Sequence, residues 1–278
     1  MLNKMLAAVV LSCVTGGMIT GVHASPESDL KAFQDYFKNQ FPETSLGDFA
    51  NGVYSIDAAS REQWEAIEEF PPYEIAIEEG EQVFNKPFKN GKTIGSCFNN
   101  GGKGIAQEYP HFDEKRGEVV TLALAINECL EANGEKPLKY KKGKMASLLA
   151  YMGYTSRGNK IDVKIPNAAA KAAYEDGKEY YYKRRGQLNM SCAHCHVDNS
   201  GKRIRADLLS PALGHPSHFP VYRSKWGGMG TLHRRFAGCN KQVRAKPSAA
   251  QSVTYRNLEY FLTYMSNGLE INAPGARK

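Results

Sequence analysis

The chain has one C-x-x-C and no second to complete a four-thiolate zinc site. Beyond its first two dozen residues no apolar run is long enough to cross a bilayer, so no membrane span is expected there. No nucleic-acid partner is expected either: the formal charge of +7 suits anionic ligands or acidic partners in general without selecting one. Apolar content of 42% and charged content of 23% are those of a globular chain, and 278 residues suffice for two modest domains or one large one.

The first 24 residues read as a targeting segment. Lys4 supplies the positive start, MLAAVVLSCVTGGMITGV the apolar stretch, and Val22-His23-Ala24 the residues a signal peptidase reads. Thr and Gly interrupt that stretch and Ser, Pro and Glu follow it, which argues against a retained helix; lipid attachment at Cys13 is the alternative. The expectation is a periplasmic protein, its signal peptide (1–24) cleaved near Ala24. Cys97, Cys129, Cys192, Cys195 and Cys239 remain, an odd number for an oxidising compartment.

Two of them stand in CAHCH, Cys192 to His196, the attachment signature of c-type haem. The thiols add across the two vinyl groups, and His196 falls beneath the iron as proximal ligand. A redox C-x-x-C does not require the final histidine. One covalently bound haem c is therefore expected, with His194 turned away from the iron. A helix is predicted between Pro166 and Gly186, just before the motif, and another in SVTYRNLEYFLTYMSNG, where Leu258, Phe261, Leu262 and Met265 share a face. Helices so placed around C-x-x-C-H are how small c-type cytochromes are built.

The chain also resembles itself. EEGEQVFNK (78–86) matches EDGKEYYYK (175–183), SCFNNG matches SCAHCH, TLALAINEC (121–129) matches TLHRRFAGC (231–239), and LLAYMGYTSRG echoes YFLTYMSNG, all in one order. The expected fold is mainly α: two cytochrome c-like domains arising from an internal repeat, at 25–160 and 161–278. Asn100 and Gly101 stand where the second cysteine and the histidine would be, so haem is expected only in the C-terminal domain. Cys97 and Cys129 correspond to Cys192 and Cys239, and with no haem between them a disulfide is expected. The alternatives are free thiols or pairing with Cys239.

By the same correspondence Cys239 lies across the haem from Cys192, on the iron face opposite His196. Arg234, Arg235, Lys241 and Arg244 around it favour a thiolate, and thiolate is a strong iron ligand. The competing distal ligand is Met229, in WGGMG; His215, His218 and His233 are further candidates. With Met229 on the iron the protein would be a plain electron-transfer cytochrome.

The stretches GGMGTLHRRFAGCNKQVRA and EANGEKPLKYKKGKMASLLAYM, together with the haem motif, resemble the SoxA family, the catalytic subunits of SoxAX cytochromes of periplasmic thiosulfate oxidation. The resemblance implies an L-cysteine S-thiosulfotransferase that joins thiosulfate to a cysteine of a SoxYZ-like carrier, electrons passing to a SoxX-like cytochrome subunit in a heterodimer. It implies Cys239 as the reactive iron-bound sulfur, thiol or persulfide, and Arg235 as the arginine that holds substrate. Some members carry two haems; Asn100 and Gly101 match the single-haem type. A non-catalytic subunit docking its partners through a basic face is the remaining reading.

Overall fold

The computed structural model describes residues 25–277, so the expected targeting segment and its cleavage near Ala24 lie outside the described residues. Helix α1 (Pro26–Gln40) starts where Ser25 and Ser28 close a capping box with proline at the first position. Asp57 caps α2 (Ala58–Glu68), and α3 (Glu74–Asn85) follows. The hairpin β1 (His111–Asp113) with β2 (Glu118–Val120) precedes α4 (Leu122–Ala132) and α5 (Lys144–Tyr154). The second half runs α6 (Ala168–Tyr182), the single-turn α7 (Cys192–His196), a minimal β3 (Arg203–Ile204) and β4 (Asp207–Leu208) pair, then the hairpin β5 (Val221–Arg223) with β6 (Gly228–Gly230), α8 (Leu232–Gln242) and α9 (Val253–Tyr264). The terminal β7 (Gly275–Arg277) runs parallel to β5.

Two helix crossings anchor the halves, α3 on α5 and α6 on α9. Each turns on a glycine. A Cβ at Gly80 would meet the Ser147 carbonyl oxygen at 2.0 Å, and one at Gly177 the Asn257 carbonyl oxygen at 2.1 Å. Only glycine lets backbone approach backbone that closely. Ser147 and Asn257 are 110 residues apart (257 − 147). The same step relates β1–β2 to β5–β6, α4 to α8, and the helix caps Thr121 and Thr231. The Tyr-Met dipeptides at 151 and 264 fall three places out of this register: Tyr151 corresponds to Phe261.

The halves clasp each other through those caps. The Thr121 hydroxyl donates to Gln251 Oε1 (2.8 Å), while the Thr231 hydroxyl donates to the Tyr140 carbonyl (3.0 Å) and its N–H to that of Lys141 (3.2 Å). Arg256, almost wholly buried, pairs with Glu118 at 2.6 Å across the same seam. Phe33, Phe37 and Phe49 are buried in the core that Tyr174, Tyr255, Tyr260 and Phe261 build, so the first thirty described residues pack on the C-terminal half. The face predicted for α9 is buried, Leu258, Phe261, Leu262 and Met265 included. Helix α6 stops at Tyr182, short of Gly186, because Lys183 turns extended and Arg185 bridges back to Met190. Among the described residues no helix is long and apolar enough to cross a membrane.

Candidate haem and thiolate site

Helix α7 begins at Ser191, whose hydroxyl accepts from the His194 N–H and lies 2.7 Å from His194 Nδ1. His194 Nε2 lies 2.6 Å from Arg184. Both ring nitrogens are thus spent at the helix start, which turns His194 away from the site. His196 differs. Its Nδ1 lies 2.9 Å from the Ser210 carbonyl, which can only accept, so Nδ1 carries the proton and Nε2 keeps its lone pair. Burial lowers its pKa to about 4, leaving a neutral imidazole. A neutral ring with one nitrogen anchored by backbone is the form that ligates iron. The ring of His215, tied to Ser210 Oγ at 2.7 Å, stands edge-on to His196 at 4.4 Å and supports its orientation.

Cys192, Cys195 and Cys239 are free thiols, whereas Cys97 and Cys129 form a disulfide with Cα atoms 5.9 Å apart. Burial, then the charge of Cys239, raises the Cys192 thiol to about 11 and lifts Cys195 as well. Cys239, on α8, is thus an electrostatic neighbour of both motif cysteines. The wholly buried Tyr181 has Cys192, Cys195 and Cys239 around it, and its hydroxyl has no hydrogen-bond partner among the described residues. Two thiols on one helical turn, a neutral anchored histidine, a third sulfur and an orphaned phenol together fit a haem. In the other half Asn100 and Gly101 adopt left-handed backbone and no α-helix forms there. Phe84, Phe88, Ile94 and Phe98 fill the space around the disulfide.

The cations sort themselves. Arg235 makes no ion pair or side-chain hydrogen bond among the described residues, and its charge is felt at Cys195, His196 and His215. Arg234 stacks on Trp226 at 4.2 Å and donates to the Met229 carbonyl. Arg244 reaches Gln187 at 3.4 Å, and Lys241 is exposed. Arg223 on β5 gave no sign in the sequence. Burial lowers its pKa, followed by Arg235, while Asp207 and then Cys239 oppose the shift, and its Nε has no hydrogen-bond partner among the described residues.

The other candidate ligands lie elsewhere. Met229 packs among Tyr73, Ala76, Ala146, Ala150 and Ala276, at the seam with the first half. His233 Nδ1 accepts from the Gln251 N–H at 3.0 Å, and Nε2 lies 2.9 Å from a Glu259 carboxylate oxygen. His218 stacks on Phe219 beside Arg277.

A helical protein with a cytochrome c domain is the class that fold and site define. The family model for the cytochrome c domain of SoxA and TsdA matches residues 79–161, the half that bears the disulfide. SoxA of Chlorobaculum thiosulfatiphilum, described as an L-cysteine S-thiosulfotransferase subunit, is 58% identical over 91% of this chain and 88% of its own length. The SoxA subunit of Allochromatium vinosum is 56% identical over 99% and 98%. A crystal structure of SoxXA from P. pantotrophus superposes with a TM-score of 0.72 at 32% identity, covering 78% of this chain and 84% of that one. The chain belongs to the SoxA family. A cytochrome c domain implies haem c as its cofactor.

Proposed function

We propose that the chain is the haem-bearing subunit of a periplasmic L-cysteine S-thiosulfotransferase that joins thiosulfate to a cysteine of a SoxYZ-like carrier. Two electrons pass to a SoxX-like cytochrome in a heterodimer; the name SoxXA of the P. pantotrophus relative supports such a partner. Cys192 and Cys195 would hold one haem c as thioethers, His196 and Cys239 would ligate its iron, and Arg235 would hold the substrate. The halves 25–160 and 161–278 are two cytochrome c-like domains of one repeat, supported by the step of 110 residues that relates β1, β2 and α4 to β5, β6 and α8. The domain without haem keeps the Cys97–Cys129 bridge.

The haem, when bound, supplies an electron acceptor beside the reactive sulfur. The chain's own residues do the rest. Arg235, with no protein anion to neutralise it, binds the thiosulfate dianion beside Cys239 through charge-assisted hydrogen bonds. The Cys239 thiolate forms an S–S bond to the outer sulfur of thiosulfate as two electrons leave for the partner cytochrome. A carrier thiolate then attacks that sulfur, takes the S–SO3 group and releases Cys239 as thiolate. In sum, thiosulfate and a carrier thiol give the carrier S-thiosulfonate, one proton and two electrons.

The observation that carries this reading is the free Cys239 beside both motif cysteines, with an unpaired Arg235 four residues before it. Its test is Cys239→Ala. Haem attachment should persist, while the low-spin optical and EPR signals change and thiosulfate conjugation falls to background. A variant that keeps both its spectrum and its turnover would make Cys239 a bystander.

A further inference from the structure

The loop between α4 and α5 carries Lys136, Lys139, Lys141 and Lys142, and α5 opens with Lys144; Glu135 precedes the run and no acidic residue interrupts it. All five are exposed, and none makes an ion pair or side-chain hydrogen bond among the described residues. The usual explanation for such a run is a solvated surface, and here the molecule contains its own control. The loop between α8 and α9, 110 residues on, follows the same course. At the positions of Lys139, Lys141 and Lys142 it has Ala249, Gln251 and Ser252. The fold therefore does not require Lys139, Lys141 and Lys142, whereas Lys136 has a counterpart in Lys246.

The clasp between the halves decides where each loop lies. The second loop, whose cations are Arg244 and Lys246, reaches the start of α4 through Gln251 on Thr121, and α4 bears the disulfide cysteine Cys129. The lysine loop reaches the start of α8, through the Tyr140 and Lys141 carbonyls on Thr231. Thr231, Arg235 and Cys239 are four residues apart in succession, on one side of that helix. The lysines thus stand about two helical turns, roughly 12 Å along the axis, from the reactive sulfur. The positive end of the α8 dipole adds to their field.

We infer that this loop is the docking surface for the carrier protein, engaging an acidic face that lies beside the carrier's reactive cysteine. The inference rests on the proposed transfer to a carrier. Charge complementarity at the rim of a site raises the encounter rate with a macromolecule and leaves the chemistry untouched. A protein that must bring its thiol to Cys239 passes over this loop, and a small thiol has no need of it.

The test is the holoprotein with its partner cytochrome and the triple variant Lys139→Ala/Lys141→Gln/Lys142→Ser, which installs the residues of the second loop. A SoxYZ-type carrier and free cysteine serve as alternative acceptors, and carrier association with immobilised protein is followed separately. At about 0.01 M salt, with a screening length of roughly 30 Å, the variant should lose about tenfold in carrier association rate and in kcat/KM for the carrier. At about 1 M salt, where screening is complete within roughly 3 Å, the difference should vanish. Turnover with free cysteine, the haem spectrum and Tm should stay as in the parent.

Carrier kinetics and salt slope equal to the parent's would overturn the inference. So would an equal loss with free cysteine, which would assign the lysines to thiosulfate, or loss of the partner cytochrome alone. A parent that binds carrier in this salt-dependent way yet transfers nothing would refute the proposed reaction and leave the docking surface standing.

Discussion

Arg235→Ala separates a substrate contact from a structural one. The guanidinium has no protein partner among the described residues, so its removal breaks no ion pair. Arg223, buried nearby, is depressed first by burial and then by Arg235, so losing Arg235 relieves a repulsion. Folding stability should hold or rise slightly. Binding should suffer: one charge-assisted hydrogen bond to thiosulfate contributes about 1.5–3 kcal/mol, which converts to a loss of roughly ten- to hundredfold in kcat/KM. Because the iron ligands remain, the optical spectrum should not change. Arg235→Lys should recover part of the loss, since a point charge replaces a forked donor. Steady-state kinetics in thiosulfate, a haem spectrum and a thermal melt decide the matter together. Unchanged kcat/KM combined with a Tm several degrees lower would mean that Arg235 braces the fold, and the assignment would fail.

Gly177→Ala should destabilise even though alanine is the better helix former by about 1 kcal/mol. The new Cβ would need to move from 2.1 Å to at least 3.4 Å from the Asn257 carbonyl, against backbone, and overpacking of that kind costs about 1–3 kcal/mol or more; a Tm equal to or above the parent's would refute the crossing. Replacing Cys97 and Cys129 together by serine should remove about 2–4 kcal/mol, because the bridge spans a sequence separation of 32. The haem spectrum should survive that change, and a denaturation midpoint equal to the parent's would contradict it.

What the sequence made legible was whatever a short spacing encodes. C-x-x-C-H lies within one helical turn, so Cys192, Cys195 and His196 could be assigned a role before any coordinate. The register between Thr121 and Thr231 was equally open, because the two caps and the helices behind them keep the same length. The cation cluster around Cys239 was read less well. Adjacent charges on a helix point in different directions, and Arg234 is drawn off by Trp226 while Arg235 faces the site. Arg223 could not have been found, since it enters from a strand sixteen residues from Cys239 and no local pattern marks it. Met229 was a reasonable ligand by type, and only packing places it in the cluster at the seam where the halves meet. The buried position of Phe33, Phe37 and Phe49 is a long-range fact of the same kind.

That seam bears on how the C-terminal half can exist at all. Residues 161–278 contain the whole attachment motif, α8 and α9, yet they are not self-sufficient. Phe37 and Phe49 are fully buried and Phe33 is 6% exposed in a core whose other members come mostly from the second half. Burying a phenylalanine contributes about 1.5–3 kcal/mol, so losing three removes roughly 5–9 kcal/mol from a domain whose whole stability is of order 5–15. The Thr231 N–H and hydroxyl would also lose the Lys141 and Tyr140 carbonyls, leaving the start of α8 without its partners. The fragment 161–278 produced alone should therefore fail to give a cooperative thermal transition, even in a host that attaches haem. Supplying residues 25–57 as a separate peptide should recover part of the near-ultraviolet dichroism by restoring the aromatic core, but not the cap on α8. A sharply melting fragment carrying the parent's spectrum would show that the first half is an appendage, and that the clasp at Thr231 contributes nothing to holding Cys239.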